Sequence, residues 1–235
     1  FTTLNQLLHQ GEVYAKVGQE AKILERGKHE FKDLDWIYHD RVGYFMLAPQ
    51  VVELSFGEVT GNWTTINRQT RAPKEDVTKE VFSLWVNHGN NVRQANYAYL
   101  VLPNADLEET KAYQFDDQIE ILANTPELQA VRHKQLLQVQ ANFYHVGKLD
   151  LGDGLELTMD GPGLVLLHLD GQNIVKMAVS DPSRKLDKMH FQLNSKLNLQ
   201  GTQHQVAWDA EHWISKVTVQ LPEGVFAGRS VILRV

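Results

Sequence analysis

The chain has 235 residues, 43% of them hydrophobic, enough to bury the core of one large β domain or two smaller ones. Its net charge of −6, from 23 basic and 29 acidic side chains with no block of like charge, argues against a nucleic-acid partner, which needs a basic face. There is no cysteine, so disulfide and thiol chemistry are removed, and no apolar run approaches the roughly 18–20 residues of a membrane span.

Strand patterns dominate from the start. Glu12 to Val17 alternates polar and apolar residues. Leu34 to His39 and Gly43 to Ala48 read as two strands joined at Asp40–Gly43. Val51 to Phe56 alternates until Gly57 and Gly61 break it, and Asn62 to Ile66 follows. Lys74 to Glu80 is charged, with Val77 as its strong hydrophobe, and reads as a loop or a short helical turn. Val81 to Pro103 reads as a β-hairpin, two apolar runs around His88, Gly89, Asn90 and Asn91. Asp106 to Tyr113 suits one or two helical turns, with acidic residues near the N-terminus.

A domain boundary is expected near Asp116 and Asp117, giving segments 1–117 and 118–235. Beyond it the strands shorten and glycine turns multiply. Gly163 to Asp170 and Gln172 to Val179 form a hairpin around Asp170 and Gly171. Met189 to Leu193, His204 to Asp209, Trp213 to Leu221 and Ser230 to Val235 complete the strands. Short aromatic and β-branched strands at close spacing predict an all-β fold of antiparallel β-sandwich layers. Trp36, Trp85, Trp208 and Trp213 lie in strand patterns and are assigned to the core.

Six motifs in order carry a resemblance. They are Thr2, Thr3, Asn5 and Gln6; Trp36, His39, Asp40, Gly43 and Tyr44; Gly61, Trp63, Ile66 and Asn67; Leu84, Trp85, His88, Gly89, Tyr97, Tyr99 and Pro103; Leu122, Asn124, Thr125, Gln129, Ala130 and Val131; and Ser180, Asp181, Pro182 and Ser183. The chain resembles the family 8 polysaccharide lyases, which cleave hyaluronan, chondroitin or xanthan. The wording leans towards the chondroitin AC and hyaluronate lyases.

The resemblance implies a plan of an N-terminal α/α toroid, a large antiparallel β supersandwich and a smaller C-terminal β-sandwich. Residues 1–117 would be the later strands of the supersandwich, and 118–235 the C-terminal sandwich. It also implies a secreted or periplasmic bacterial enzyme acting on an acidic polysaccharide. The start at Phe1, in strand-like sequence, suggests a cut or processed end. The toroid is then an expected companion, either continuous with this segment or nicked into a separate chain, and no membrane or nucleic acid is expected as a partner.

Family members break the polymer at a uronic acid by β-elimination. That chemistry needs a group to neutralise the carboxylate, a base for the C5 proton and an acid for the leaving oxygen. The resemblance assigns these roles to toroid residues, so no catalytic residue is expected here. No cofactor is expected either: calcium binds some family members, at a site the resemblance places ahead of Phe1.

Trp63, Asn67, Arg68 and Arg71 share one loop, and an aromatic ring with guanidinium groups can stack on and pair with an acidic sugar. They are the best substrate-contact candidate by residue chemistry, although a loop tryptophan packed on the sheet is the commoner outcome. His39 could be a general base oriented by Asp40, but Asp40 more simply starts a turn. Glu30, Asp33, Asp35 and Asp40 could be calcium ligands, but a solvated turn and strand edge is the simpler reading. His88 could line a groove, with a turn role preferred. The leading reading is the scaffold of a glycosaminoglycan lyase. The alternative is a stand-alone carbohydrate-binding β-sandwich module, and a purely structural surface protein ranks last.

Overall fold

The computed structural model describes residues 1–171 and 173–235, and these fold as two compact units, Phe1–Tyr113 and Gln114–Val235. Among them no helix is long and apolar enough to cross a membrane. The first unit contains β1 (Thr2–Leu8), β2 (Val13–Val17), β3 (Glu20–Ile23), β4 (Gly27–Phe31), β5 (Leu34–His39), β6 (Val42–Met46), β7 (Val52–Asn62), β8 (Asp76–Val86), β9 (Tyr99–Pro103) and α1 (Leu107–Ala112). They form two antiparallel sheets, ordered β1-β8-β7-β4 and β3-β2-β5-β6-β9.

Alternation along the strands decides how these sheets pack. Val52, Leu54 and Phe56 of β7 and Phe82 and Leu84 of β8 point to one face and are buried with Val13, Ala15, Ile37 and Tyr44 of the other sheet. Each fully buried aliphatic or aromatic side chain of this kind contributes about 1.5–3 kcal/mol. The expected β5–β6 hairpin forms, turning through Asp40 (φ 46) and Arg41 (φ 64), the mirror-image turn that matches strand twist. The outer face of β6 is covered by α1, whose capping box pairs the Asp106 side chain with the Glu109 amide and the Glu109 side chain with the Asp106 amide.

The second unit contains α2 (Phe115–Gln118) and eleven strands: β10 (Ile119–Asn124), β11 (Leu128–His133), β12 (Gln138–Phe143), β13 (Gly147–Asp150), β14 (Glu156–Met159), β15 (Gly163–Asp170), β16 (Asn173–Ser180), β17 (Lys188–Leu193), β18 (His204–Asp209), β19 (Ile214–Gln220) and β20 (Val231–Arg234). They form sheets ordered β10-β11-β12-β15-β16-β20 and β13-β14-β17-β19-β18. One core lies between them, built from inward residues such as Val139, Phe143 and Leu167 on one side and Met159, Phe191 and Val219 on the other. The fold is the all-β sandwich arrangement that the sequence predicts.

Five expectations are corrected. Val81–Pro103 is not a hairpin: β8 and β9 belong to different sheets, and the polar stretch between them crosses from one sheet to the other. Gly57 and Gly61 do not end β7, which runs through both to Asn62. Gly57 takes φ +145, a conformation open to glycine, inside a continuous strand. Lys74–Glu80 is strand from Asp76 onward, and Asn62–Ile66 is a 3-10 turn over Trp63–Thr65. Of the tryptophans assigned to the core, only Trp36 is buried: Trp85 and Trp208 are half-buried and Trp213 is exposed. The hairpin at Asp170 and Gly171 forms with Asp170 facing Asn173, while Gln172, the expected start of its second strand, lies outside the described residues.

Candidate functional site

β7 and β8 are each 11 residues long and pair along their whole length, from Val52–Val86 to Asn62–Asp76. Their neighbours are shorter. β4 pairs with β7 over Val52–Phe56, from Phe31–Val52 to Gly27–Phe56, and β1 pairs with β8 only from Val81 onward. Glu58–Asn62 and Asp76–Glu80 therefore extend past the four-stranded sheet as a two-stranded arm. Almost every residue of the arm is exposed. A hydroxyl contact between Thr60 and Thr78 at 2.7 Å ties its two strands, and Arg26 pairs with Glu80 at 2.8 Å at its base.

The loop at the tip carries all four candidate contact residues. Asn62 fixes its entrance and exit. Its Oδ1 accepts the Thr64 amide at 2.8 Å and the Thr64 hydroxyl at 2.6 Å, while its Nδ2 donates to the Lys74 carbonyl at 2.6 Å and to Asp76 Oδ1 at 2.9 Å. The Trp63 carbonyl accepts the Asn67 amide at 2.8 Å, and Asn67 Oδ1 accepts the Gln69 amide at 3.0 Å. These bonds turn the chain tightly and leave the side chains outward. Trp63 is 51% exposed and Ile66 76% exposed.

Arg68 and Arg71 are exposed, and among the described residues neither has a carboxylate within ion-pair reach. Between Trp63 and Glu75 the cations are Arg68, Arg71 and Lys74 and the single carboxylate is Glu75, in a chain of net charge −6. The loop is thus a local basic patch, which the bulk composition hides. Trp63 does not pack on the sheet, and neither arginine stacks on it: among the described residues the cation–π contact is Arg229 over Phe226. The bonds from Asn62 to Lys74 and Asp76, which close this loop, have no signal in the sequence. The Asn62–Asp76 register that reveals them depends on knowing that β7 and β8 pair.

The other candidates have structural settings. His39 is fully buried and stacked on Phe82, with its Nε2 accepting the Gln10 amide. Burial, then the neighbouring His9, holds its pKa down at about 4. Asp40 is the first turn residue, at φ 46. His88 Nε2 lies 2.8 Å from the Thr2 hydroxyl, linking the stretch after β8 to β1. Glu30 lies on β4 and Asp35 on β5, in different sheets, and Asp35 faces Lys16 at 3.8 Å. Among the described residues no three His, Asp or Glu side chains are grouped to hold a metal.

The motif residues explain themselves as scaffold. Asn5 Nδ2 donates to the Tyr44 hydroxyl, joining β1 to β6. Gly43 lies against Thr110 of α1. Asp181 accepts three backbone amides in the turn after β16.

Two family models match the chain: the super-sandwich domain of polysaccharide lyase family 8 over residues 1–114, and the C-terminal beta-sandwich domain of the same family over residues 120–190. The chain is 39% identical over 189 residues to chondroitinase-AC of Pedobacter heparinus, covering 78% of this chain and 26% of that protein. It is 35% identical over 103 residues to the xanthan lyase of Bacillus sp. strain GL1, covering 44% of this chain and 11% of that protein. A solved structure of chondroitinase AC lyase, studied in complex with oligosaccharides, superposes with a TM-score of 0.79 at 33% identity, over 98% of this chain and 32% of that one. The chain therefore spans about a quarter of the chondroitinase it matches. From two matching domain models in their expected order, and from the fold they share with chondroitinase AC lyase, the chain belongs to polysaccharide lyase family 8.

Proposed function

We propose that this chain is the scaffold and cleft-wall part of a secreted or periplasmic lyase that cuts a uronic-acid polysaccharide of the chondroitin or hyaluronan type. The reaction is β-elimination. The C5 proton leaves to a base, the C4–oxygen bond breaks, a C4–C5 double bond forms and the departing glycosidic oxygen takes up a proton. The base, the acid and the group that neutralises the carboxylate lie on a helical toroid of the same enzyme, outside these residues. The observation that carries this reading is the coverage: most of this chain matches chondroitinase-AC, yet it accounts for 26% of that enzyme. The settings of His39 and His88 agree with it, since one is buried and neutral and the other is bonded across to Thr2.

In this reading the arm tip reaches the polymer. Trp63 offers a face for a sugar ring, Arg68 and Arg71 pair with its carboxylate or sulfate groups, and Asn67 offers an amide to a hydroxyl. The exposed indole, and guanidinium groups that have no ion-pair partner among the described residues, support this role.

The test has two arms. This chain alone, incubated with chondroitin, hyaluronan or xanthan, releases no unsaturated uronate by ultraviolet absorbance, and turnover by the chain alone would overturn the reading. In the enzyme with its toroid, Trp63→Ala and the double change Arg68→Ala/Arg71→Ala raise KM about tenfold each with little change in kcat, the pattern of lost uniform binding. Unchanged KM in both would remove the arm from the polymer's path.

A further inference from the structure

In the second unit, the β18–β19 hairpin turns between Asp209 and Ile214, which face each other across the last ladder pair. Asp209 clamps the turn. Its Oδ1 accepts the His212 amide at 3.2 Å, and its carboxylate meets His212 Nδ1 at 3.1 Å and Lys216 Nζ at 3.2 Å. Hydrogen bonds from His212, then Lys216, hold its carboxyl down at about 2, so the clamp is ionised through the neutral and mildly acidic range.

Trp213 closes this turn at φ +55, a left-handed conformation that disfavours a bulky side chain and that glycine takes freely. Its indole is 70% exposed and meets the half-buried Trp208 edge to face, with 5.8 Å between centroids. Backbone geometry does not call for tryptophan here, and burial does not reward it. Strain of this kind held in place by a surrounding network is a mark of function.

The surroundings indicate what would cover the ring. Glu211 and His212 beside it are exposed and polar. A single exposed indole is far smaller than the roughly 1,000 Å² that a specific protein partner buries. A polar rim around a single flat π face suits a ligand that is apolar on one face and hydroxylated at its edge. A pyranose ring has that character: its axial C–H bonds carry slight positive charge against the negative face of an indole, and its hydroxyls reach outward to polar groups. Among the described residues β18 pairs only with β19 in its sheet, so the hairpin lies at the edge of that sheet, where a long polymer could be laid alongside it.

We propose that Trp213, braced by Trp208, is a carbohydrate-stacking platform that takes a pyranose ring of the polymer and is carried by the second unit on its own. The inference rests on the reading of the chain as part of a polysaccharide-degrading enzyme, but on different residues from the arm.

The chain contains five tryptophans, so its indole N–H resonances can be assigned by single Trp→Phe substitutions. Titration with hyaluronan and chondroitin oligosaccharides, and in parallel with neutral cello-oligosaccharides, reads each tryptophan separately. The Trp213 indole is expected to shift saturably. Trp213→Gly is expected to weaken that binding at least tenfold while the melting temperature holds or rises, because glycine relieves the turn. No shift at Trp213 with any sugar would overturn the platform, as would a Trp213→Gly variant that melts lower yet binds as before. A shift at Trp63 alone would sink the platform and leave the uronic-polymer reading standing. A shift at Trp213 with cello-oligosaccharides alone would keep the platform and count against that reading.

Discussion

The imidazole of His39 lies parallel to the ring of Phe82, with 4.1 Å between centroids and 3° between planes. Its Nε2 accepts the Gln10 amide at 3.2 Å and lies 3.1 Å from His9 Nδ1. A backbone amide can only donate. Nε2 therefore carries the lone pair, Nδ1 carries the proton, and His9 donates to it through its own Nδ1. The motif histidine is a neutral acceptor built into the core of the first unit. A second proton would have to displace the Gln10 amide and place a charge against Phe82.

Acid should therefore weaken the first unit through this residue. Burial, then His9, lowers the pKa from 6.5 to about 4, so the unfolded chain takes the proton first as pH falls. Stability from the neutral ring is complete above pH 6.5 and is lost as pH falls towards 4, on the order of 3 kcal/mol. Urea unfolding at a series of pH values checks this against His39→Phe, which keeps a ring on Phe82 and cannot be protonated. The variant should show a flatter slope across that window. An equally steep slope would assign the acid sensitivity to other groups.

Gly43 is expected to resist substitution for a steric reason. A Cβ there would lie 3.0 Å from Phe45 Cε2 and from Thr110 Cγ2, and 3.1 Å from Thr110 Oγ1. Thr110 cannot step aside, because it is fully buried and its hydroxyl donates to the Asp106 carbonyl at 2.8 Å. Gly43→Ala should cost about 1–3 kcal/mol, the usual range for overpacking a filled site. Thr110→Ser removes one of the clashing atoms and keeps the hydroxyl. The double variant should recover part of the loss, and a strictly additive cycle in denaturant unfolding would disprove the contact as the cause.

Asp181 should matter more than a turn residue usually does. It is 3% exposed, and its two oxygens accept the amides of Ser183 at 2.8 Å, Lys185 at 2.7 Å and Leu186 at 2.8 Å. Burial alone would raise its pKa, but these hydrogen bonds outweigh burial and hold it below 3.8. The stabilisation is present above the ordinary carboxylate range and disappears as pH falls through the lowered value. Asp181→Ala leaves three part-buried amides without their acceptor and should cost about 1–3 kcal/mol. Asp181→Asn, which keeps one acceptor oxygen, should cost less. Equal melting temperatures for the Ala variant and the parent chain would refute this.

Much of the fold was legible where one face of a strand meets a core. β5, β15 and β18 begin and end where the sequence places them, and the turns at Asp40 and Gly171 follow from residues that tolerate positive φ. The arm was not legible for the converse reason. Past Gly57 and before Val81 neither face of the hairpin meets a core, so Glu58, Thr60, Thr78 and Glu80 carry no period to read. The Val81–Pro103 segment misled because β8 and β9 are both good strands with a turn-like sequence between them. Which sheet each strand joins is decided by distant partners, Leu8 and Phe56 for β8 and Tyr44 for β9. Trp213 was placed in the core because it adjoins a real strand, and only its own φ shows that it belongs to the turn. At the candidate site the residue types were legible but not their exposure, since the same four residues could have folded back onto the sheet.

That exposure makes the arm a separate energetic element, and Asn62 is the residue to test it. The Asn62 side chain makes four polar contacts, to the Thr64 amide and hydroxyl, the Lys74 carbonyl and Asp76. In a core their loss would be severe, but here water reaches every partner, so Asn62→Ala should cost about 1 kcal/mol locally. A two-stranded ribbon with both faces in water is marginal by itself, so that loss should open the arm without opening the sheet beneath it. Amides at Thr60, Thr64, Asn67 and Thr78 should exchange several-fold faster, while those of Leu54 and Leu84, in the buried part of the same two strands, keep their protection. Global melting should move by less than about 2 °C, since the core contacts that set it are untouched. Faster exchange at Leu54 and Leu84, or a large fall in melting temperature, would show instead that the arm and the core of the first unit unfold as one.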